Sequence, residues 1–208
     1  MSTDAQILFK NLLKSLRPLF KANGFRSKGQ NFFLESDECW VIINFQKSRW
    51  NNAGEVTFYV NVAACSKRWL GIEAKPAEKM PPYYACDWRW RVEHFAVDQS
   101  IKSWTLRDET SLEETVAYLT TLFREAVFPA ARTMVTEKQL LEHSGGFEYA
   151  QLKTRTVILA ATNQTEALRE AVALLLEKYG AGVVAQGVQD HIKLLRSKYP
   201  VAMRAIEM

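Results

Sequence analysis

Within eight residues the chain brings together Asp87, Arg91, Glu93 and His94, with Arg89 between them. A guanidinium fork is the natural partner of a carboxylate or phosphate, and a neighbouring His and Glu are the residue types that move protons at neutral pH. The chemistry these four could do is the binding or turnover of an anionic substrate. The same spacing also suits charges flanking a strand in local ion pairs. A second set is broader. Asn44, Gln46, Lys47, Arg49 and Trp50 are followed by Tyr59 and Asn61, with Trp88 and Arg91 able to join from a third segment. Tyr, Trp and Arg dominate interface energetics, so this set reads as a surface for a protein or peptide partner.

No established catalytic signature accompanies either set. The chain has no GxSxG, HExxH, P-loop or GxGxxG pattern. Cys39, Cys65 and Cys86 are odd in number, lie more than about twenty residues apart and form no CxxC, so they read as reduced thiols. Neither a metal site nor a cofactor is expected. His143 and His191 fall in helical patterns and read as surface or satisfied interhelical residues.

Lys and Arg number 27 against 23 Asp and Glu, a net charge of +4, and the first 35 residues alone carry six basic against two acidic side chains. With charge nearly balanced around the rings, nucleic acid is not the expected partner. The longest apolar run, Ala171 to Leu176, is far short of the roughly 20 residues needed to span a bilayer, so no membrane association is expected. The first residues lack the apolar centre of a secretory signal, which points to the cytoplasm.

The elements that position these residues are legible from period. Leu8, Phe9, Leu12, Leu13, Leu16 and Phe20 recur at helical spacing, with Thr3 and Gln6 as a capping box, Asn23-Gly24 as the stop, and Lys10, Lys14, Arg17 and Lys21 in a stripe opposite. Strands are expected over 30–35, 39–48 and 55–65. Cys39, Val41, Ile43 and Phe45, with Val56, Phe58, Val60, Val62 and Ala64, share one apolar face that should pack on the opening helix. The other face mixes Trp40, Ile42, Asn44 and Gln46 with Thr57, Tyr59, Asn61, Ala63 and Cys65. Buried carboxamides need partners, so this face is either covered by matching polar groups or open to a ligand. In the covered case, Trp40, Trp50 and Tyr59 would be core under the C-terminal helices.

A long Pro-containing connection over 66–90 is expected to be ordered by its aromatic residues, followed by a strand over 88–97 and a short one near 102–106. Beyond Thr110 the pattern is helical. Ser111 and Glu114 form a capping box, Pro129 starts a helix, Thr136 and Gln139 cap another that Gly145-Gly146 ends, and helices follow over 147–161, 163–179 and 183–199. Ala171 to Leu176 is apolar all round, which predicts a buried helix.

LFKANGFRSKGQNFF (Leu19 to Phe33), NFQKSRW (Asn44 to Trp50), VTFYVNVAACSK (Val56 to Lys67) and WRWRVEHF (Trp88 to Phe95), with Asp98 and Trp104 beyond, resemble the bacterial domain-of-unknown-function family numbered 4304. That family commonly has a Trp pair where this chain has only Trp104. The resemblance covers about residues 5–125 and implies a fold and a choice of surface, with no activity attached.

The resulting expectation is an α+β fold: an antiparallel sheet of four to five strands packed on an N-terminal helix, followed by an all-helical C-terminal region. The divisions are residues 1–128 for the α+β module and 129–208 for a helical extension packed on it. The function expected is a non-catalytic interaction module, for example an immunity or regulatory protein of a bacterial conflict system, binding a protein or peptide partner through the polar-aromatic face. The alternative is a small-ligand receptor or enzyme acting on an anionic substrate through Asp87, Arg91, Glu93 and His94. The C-terminal helices offer a surface for homo-oligomers.

Overall fold

The computed structural model describes residues 4–144 and 147–207. The expected capping box at Thr3 and helix stop at Gly145-Gly146 lie outside the described residues. The chain opens with helix α1 (Asp4–Ala22), which buries Ala5, Leu8, Phe9, Leu12, Leu13, Leu16 and Phe20, the stripe that its period requires. It ends where Gly24, at φ +86°, takes a left-handed conformation that costs glycine little, so that the Phe25 N–H turns back to the Phe20 carbonyl.

Six antiparallel strands follow: β1 (Arg26–Lys28), β2 (Asn31–Glu35), β3 (Cys39–Lys47), β4 (Val56–Ser66), β5 (Trp88–Arg91) and β6 (Trp104–Leu106). The class is α+β as expected, with one strand more than predicted because Gly29, also at positive φ, makes a hairpin of β1 and β2. Order runs β1-β2-β3-β4-β5, with β6 also on β4. Asn61 to Ala64 of β4 pair with β5, and Val56 to Phe58 pair with β6 on that same edge. This arrangement overturns the long strand expected over 88–97. Pairing stops at Arg91, and the chain leaves the sheet through a 3₁₀ turn, Val92–Phe95, to make room for β6.

The first sheet face packs as its alternation predicts. Val41, Ile43, Phe45, Phe58, Val60 and Val62 are buried in one core with α1, helix α3 (Glu109–Leu122) and helix α4 (Phe128–Arg132), past a π turn at Phe123–Val127. Helix α3 is capped one turn earlier than expected. Asp108 accepts from the Ser111 N–H, and the Ser111 hydroxyl accepts from the Asp108 N–H, completing the box. This core also takes in Ala131, Met134, Leu140 and Ile158.

The 66–90 connection is built rather than loose. Ser66 caps helix α2 (Lys67–Ile72) by accepting from the Trp69 N–H, and the chain then crosses the second sheet face. There Trp40 Nε1 donates to the Ala77 carbonyl at 2.8 Å, and Phe33, Trp40, Ile42, Ala63, Cys65, Leu70 and Cys86 form a small separate core. Helix α5 (Glu137–Leu140), capped by Thr136 as predicted, leads to the C-terminal helices α6 (Glu148–Ala161), α7 (Thr165–Tyr179), α8 (Ala185–Lys198) and α9 (Pro200–Glu207). Helix α9 is a correction: Pro200 opens a further helix in the first-turn position that tolerates a missing N–H, rather than only stopping the one before. A second correction concerns 171–176. Ala171, Val172 and Leu175 are buried while Leu176 is exposed, because α7 gives one face to Trp69, α6, α8 and α9 and the other to water.

Among the described residues, no helix is long and apolar enough to cross a membrane, and no group of His, Cys, Asp and Glu is arranged to hold a metal ion.

Candidate binding site

The second sheet face divides across its middle. Trp40, Ile42, Ala63 and Cys65 lie under the 66–90 crossing. Toward the β3–β4 hairpin the face changes character. Asn31, Asn44, Asn61 and Arg91 are register partners in succession across β2, β3, β4 and β5. Their side chains form one hydrogen-bonded row. Arg91 Nη1 donates to Asn61 Oδ1 at 2.8 Å, Asn61 Nδ2 to Asn44 Oδ1 at 3.1 Å, and Asn44 Nδ2 to Asn31 Oδ1 at 2.7 Å.

The direction of this row follows from chemistry. A guanidinium can only donate, so Asn61 must turn its oxygen toward Arg91. That leaves its NH₂ for Asn44, and the same choice passes to Asn31, whose NH₂ ends on the Lys28 carbonyl. Every carboxamide thus points its negative end at the guanidinium. Gln46 joins from one residue pair along, accepting from Asn61 Nδ2 and from the Tyr83 hydroxyl at 2.7 Å. The Arg91 guanidinium carbon sits 4.5 Å from the Tyr59 ring centroid. Asn44 and Asn61 are buried and satisfied, whereas Arg91 is exposed and Gln46 and Tyr59 are half-buried.

Of the residues singled out from sequence, Asn44, Gln46, Tyr59, Asn61 and Arg91 are brought together. Arg49 and Trp50 lie at the rim in the hairpin loop, with the guanidinium 4.8 Å from the indole and Trp50 79% exposed. That loop is held by Asn51, which pairs its side chain with both the N–H and C=O of Thr57. Two placements are corrected. Lys47 shares the parity of Phe45 and lies over the Phe9 ring of α1, on the opposite face. Trp88 pairs with Ala64, is fully buried in the first core, and donates Nε1 to the His143 carbonyl. It cannot reach a ligand on the Arg91 side.

The candidate acid–base group does not assemble. Along a strand, Asp87 and Arg91 are about 13 Å apart. Asp87 is buried against α6, where its carboxylate accepts from Thr154 at 2.6 Å. Burial pushes its pKa up to about 6, against the downward pull of that hydroxyl. His94 stands beside the Trp90 and Phe95 rings outside the sheet, and Glu93 leaves Oε2 buried without a partner. The 3₁₀ turn after Arg91 is the cause, since it takes Glu93 and His94 out of strand register.

The structure adds Asn31, Tyr83, Arg89 and Phe147. Arg89 has the parity of Arg91, a signal present in the sequence. Its Nη1 donates to the Tyr84 carbonyl, and its guanidinium lies 4.8 Å from the Phe147 ring. With Asn61, Tyr83, Trp90, Arg91 and Phe147 it lines a recess of about 360 Å³. The C-terminal helices meet the sheet region elsewhere, through Trp69 of α2 and through Asp87, and among the described residues only Phe147, at the start of α6, reaches the rim of this half of the face.

A family model described as Domain of unknown function (DUF4304) matches residues 16–133, which include the row of amides, Tyr59 and both arginines. Phe147 and the helices from α5 onward lie beyond it. No curated protein and no solved structure matches the chain. With more than half of its length matched, and with the end of the opening helix and all six described strands falling inside the match, the chain belongs to the DUF4304 family.

Proposed function

We propose that this protein is a non-catalytic interaction module that binds a protein or peptide partner through the open half of the second sheet face. The observation that carries the reading is Arg91. It is an exposed guanidinium held by an aligned row of amides and a tyrosine ring, with no carboxylate partner among the described residues. A charge fixed in place and left unpaired binds with little further loss of side-chain freedom. Rings, amides and arginines around it are the groups that interfaces favour. An immunity or regulatory protein of a bacterial conflict system is the kind of role this reading fits, since such a role needs recognition and no turnover. The buried free thiols of Cys39, Cys65 and Cys86 support a reducing, cytoplasmic setting.

Photo-crosslinking in the source cell tests the reading. A photoreactive residue at Tyr59 is expected to give a discrete adduct that Arg91→Ala removes, while the same residue at Lys14 on the far side of α1 gives none. Equal adducts from both positions, or none from position 59, would sink it.

A further inference from the structure

This inference rests on the interaction-module reading and concerns what the partner must bring. Arg89 and Arg91 are alternate residues of one strand and line the same recess. Their Cα atoms are about 7 Å apart, close enough for one carboxylate to be reached by both forks. Each guanidinium carries five N–H donors. Arg91 spends one on Asn61, and Arg89 spends one on the Tyr84 carbonyl. Each also lies against an aromatic ring, Tyr59 for the first and Phe147 for the second. Both are therefore positioned, and neither meets an acidic side chain among the described residues.

The chain's own carboxylates nearby do not pair with either arginine: Glu93, on the 3₁₀ turn after Arg91, leaves Oε2 buried without a partner, and the others are engaged. Asp87 is committed to Thr154, and Glu148, next to Phe147, accepts from Lys178 and Tyr179. We propose that the recess beside β5 receives an Asp or Glu side chain of the partner, its carboxylate bridging Arg89 and Arg91 while an adjacent apolar residue packs on Tyr83 and Phe147. Two cations match one carboxylate, and about 360 Å³ leaves room for the apolar residue beside it. A nucleic-acid backbone would need a longer basic track. The Lys10, Lys14, Arg17 and Lys21 stripe is on α1, across the sheet from this recess. The rings supply the apolar part: Phe147 is 66% exposed and Tyr84 at the rim 67%. Charge-assisted bonds from a paired guanidinium site favour a planar carboxylate over an uncharged amide of the same shape.

The test pans a displayed library of random linear peptides on the full chain. Enriched peptides are resynthesised with each Asp and Glu replaced by its amide, and their footprint is mapped by hydrogen exchange. The expected peptides carry an acidic residue beside an aromatic or aliphatic one and protect β3 to β5. They should lose about tenfold or more in affinity when that carboxylate becomes an amide, and equally on Arg89→Gln/Arg91→Gln. Arg91 is exposed and Arg89 half-buried, so the double variant should melt within a few degrees of the wild type. Peptides that protect β3 to β5 but need neither the acid nor the arginines would overturn the acidic occupant and leave the module reading standing. Competition by inorganic phosphate but not by acetate would overturn it in favour of a phosphorylated ligand. Peptides that footprint elsewhere, or no enrichment at all, would overturn both readings.

Discussion

Two polar seams cross this molecule, and they end differently. One joins the sheet to the helices behind it. Glu137 of α5 is buried and accepts from the Ser66 hydroxyl at 2.6 Å and from Arg68 Nε at 3.0 Å, while its own N–H donates to Glu38. Asp87 accepts from Thr154, and His191 shares a hydrogen bond with Thr156 at 2.8 Å. In that seam polar groups are matched to one another inside the protein, save His191 Nδ1, which is buried without a partner. The other seam is the row from Asn31 to Arg91, satisfied at every amide until it reaches a guanidinium with donors to spare. The first seam holds parts together, and the second presents a charge. Buried polar groups, even the unpartnered His191 Nδ1, do not by themselves mark a site; an exposed, positioned charge with donors to spare does.

The largest expected effect separates the seams by stability. Glu137→Ala strands the Ser66 hydroxyl and removes the anion that Arg68 bonds, and should cost about 3 kcal/mol in urea unfolding. Arg91→Ala, at the exposed end of the other row, should cost about 0.5–1 kcal/mol in the same measurement, the loss of one hydrogen bond to Asn61. Comparable losses would erase the distinction.

The next effect is one of pH, and it lies wholly in the closed seam. The Asp87 pKa, raised by burial to about 6, exceeds its unfolded value near 3.9. Its protonated form is the one that folding favours. That contribution is fully present below about pH 3.9 and is lost as pH rises through about 6. His191 is the reverse. Burial, with Lys153 nearby, lowers it to about 4, so its contribution is present above about pH 6.5 and is lost as pH falls toward 4. The wild type hides both because the slopes oppose each other. Asp87→Asn should be more stable than wild type at pH 7.5 by on the order of 2 kcal/mol, with the gain fading toward pH 4. For His191→Gln the difference from wild type should shift toward the variant as pH falls from 6.5 to 4. Melting curves across that range measure both, and slopes of the same sign would contradict the assignment.

A smaller effect concerns the row itself. Asn61→Ala removes acceptor and donor together, and should cost about 1–2 kcal/mol. Because Arg91 orients through Asn61, a double-mutant cycle with Arg91→Ala should show coupling of about 0.5 kcal/mol or more. Additive losses would mean that the amides do not hold the guanidinium.

The sequence made the first face and the β3–β4 hairpin readable, since alternation over nine and eleven residues leaves one apolar set that can pack on α1. It also held information that grouping by residue type obscured. Trp88 and Arg91 differ by three positions, and Lys47 and Gln46 by one, so within a strand neither pair shares a face. Parity assigns Trp88 to the core and joins Arg89 to Arg91. The end of β5 was not readable, because β6 claims the rest of that edge through a pairing remote in sequence. Nor was the division of the second face into covered and open halves. That depends on where the 66–90 crossing lands, and its anchor, Trp40 Nε1 on the Ala77 carbonyl, joins residues 37 apart. Phe147 reaches the site from outside the family match, so no local pattern could place it there.

The central claim is that the open half of the second face is the recognition surface. Its most direct test is a titration of the partner captured from position 59 against wild type and Arg91→Ala, with the melting temperature of each measured alongside. The account predicts affinity lower by about tenfold or more with a melting temperature within a few degrees of wild type. Equal affinity for the two proteins would contradict it.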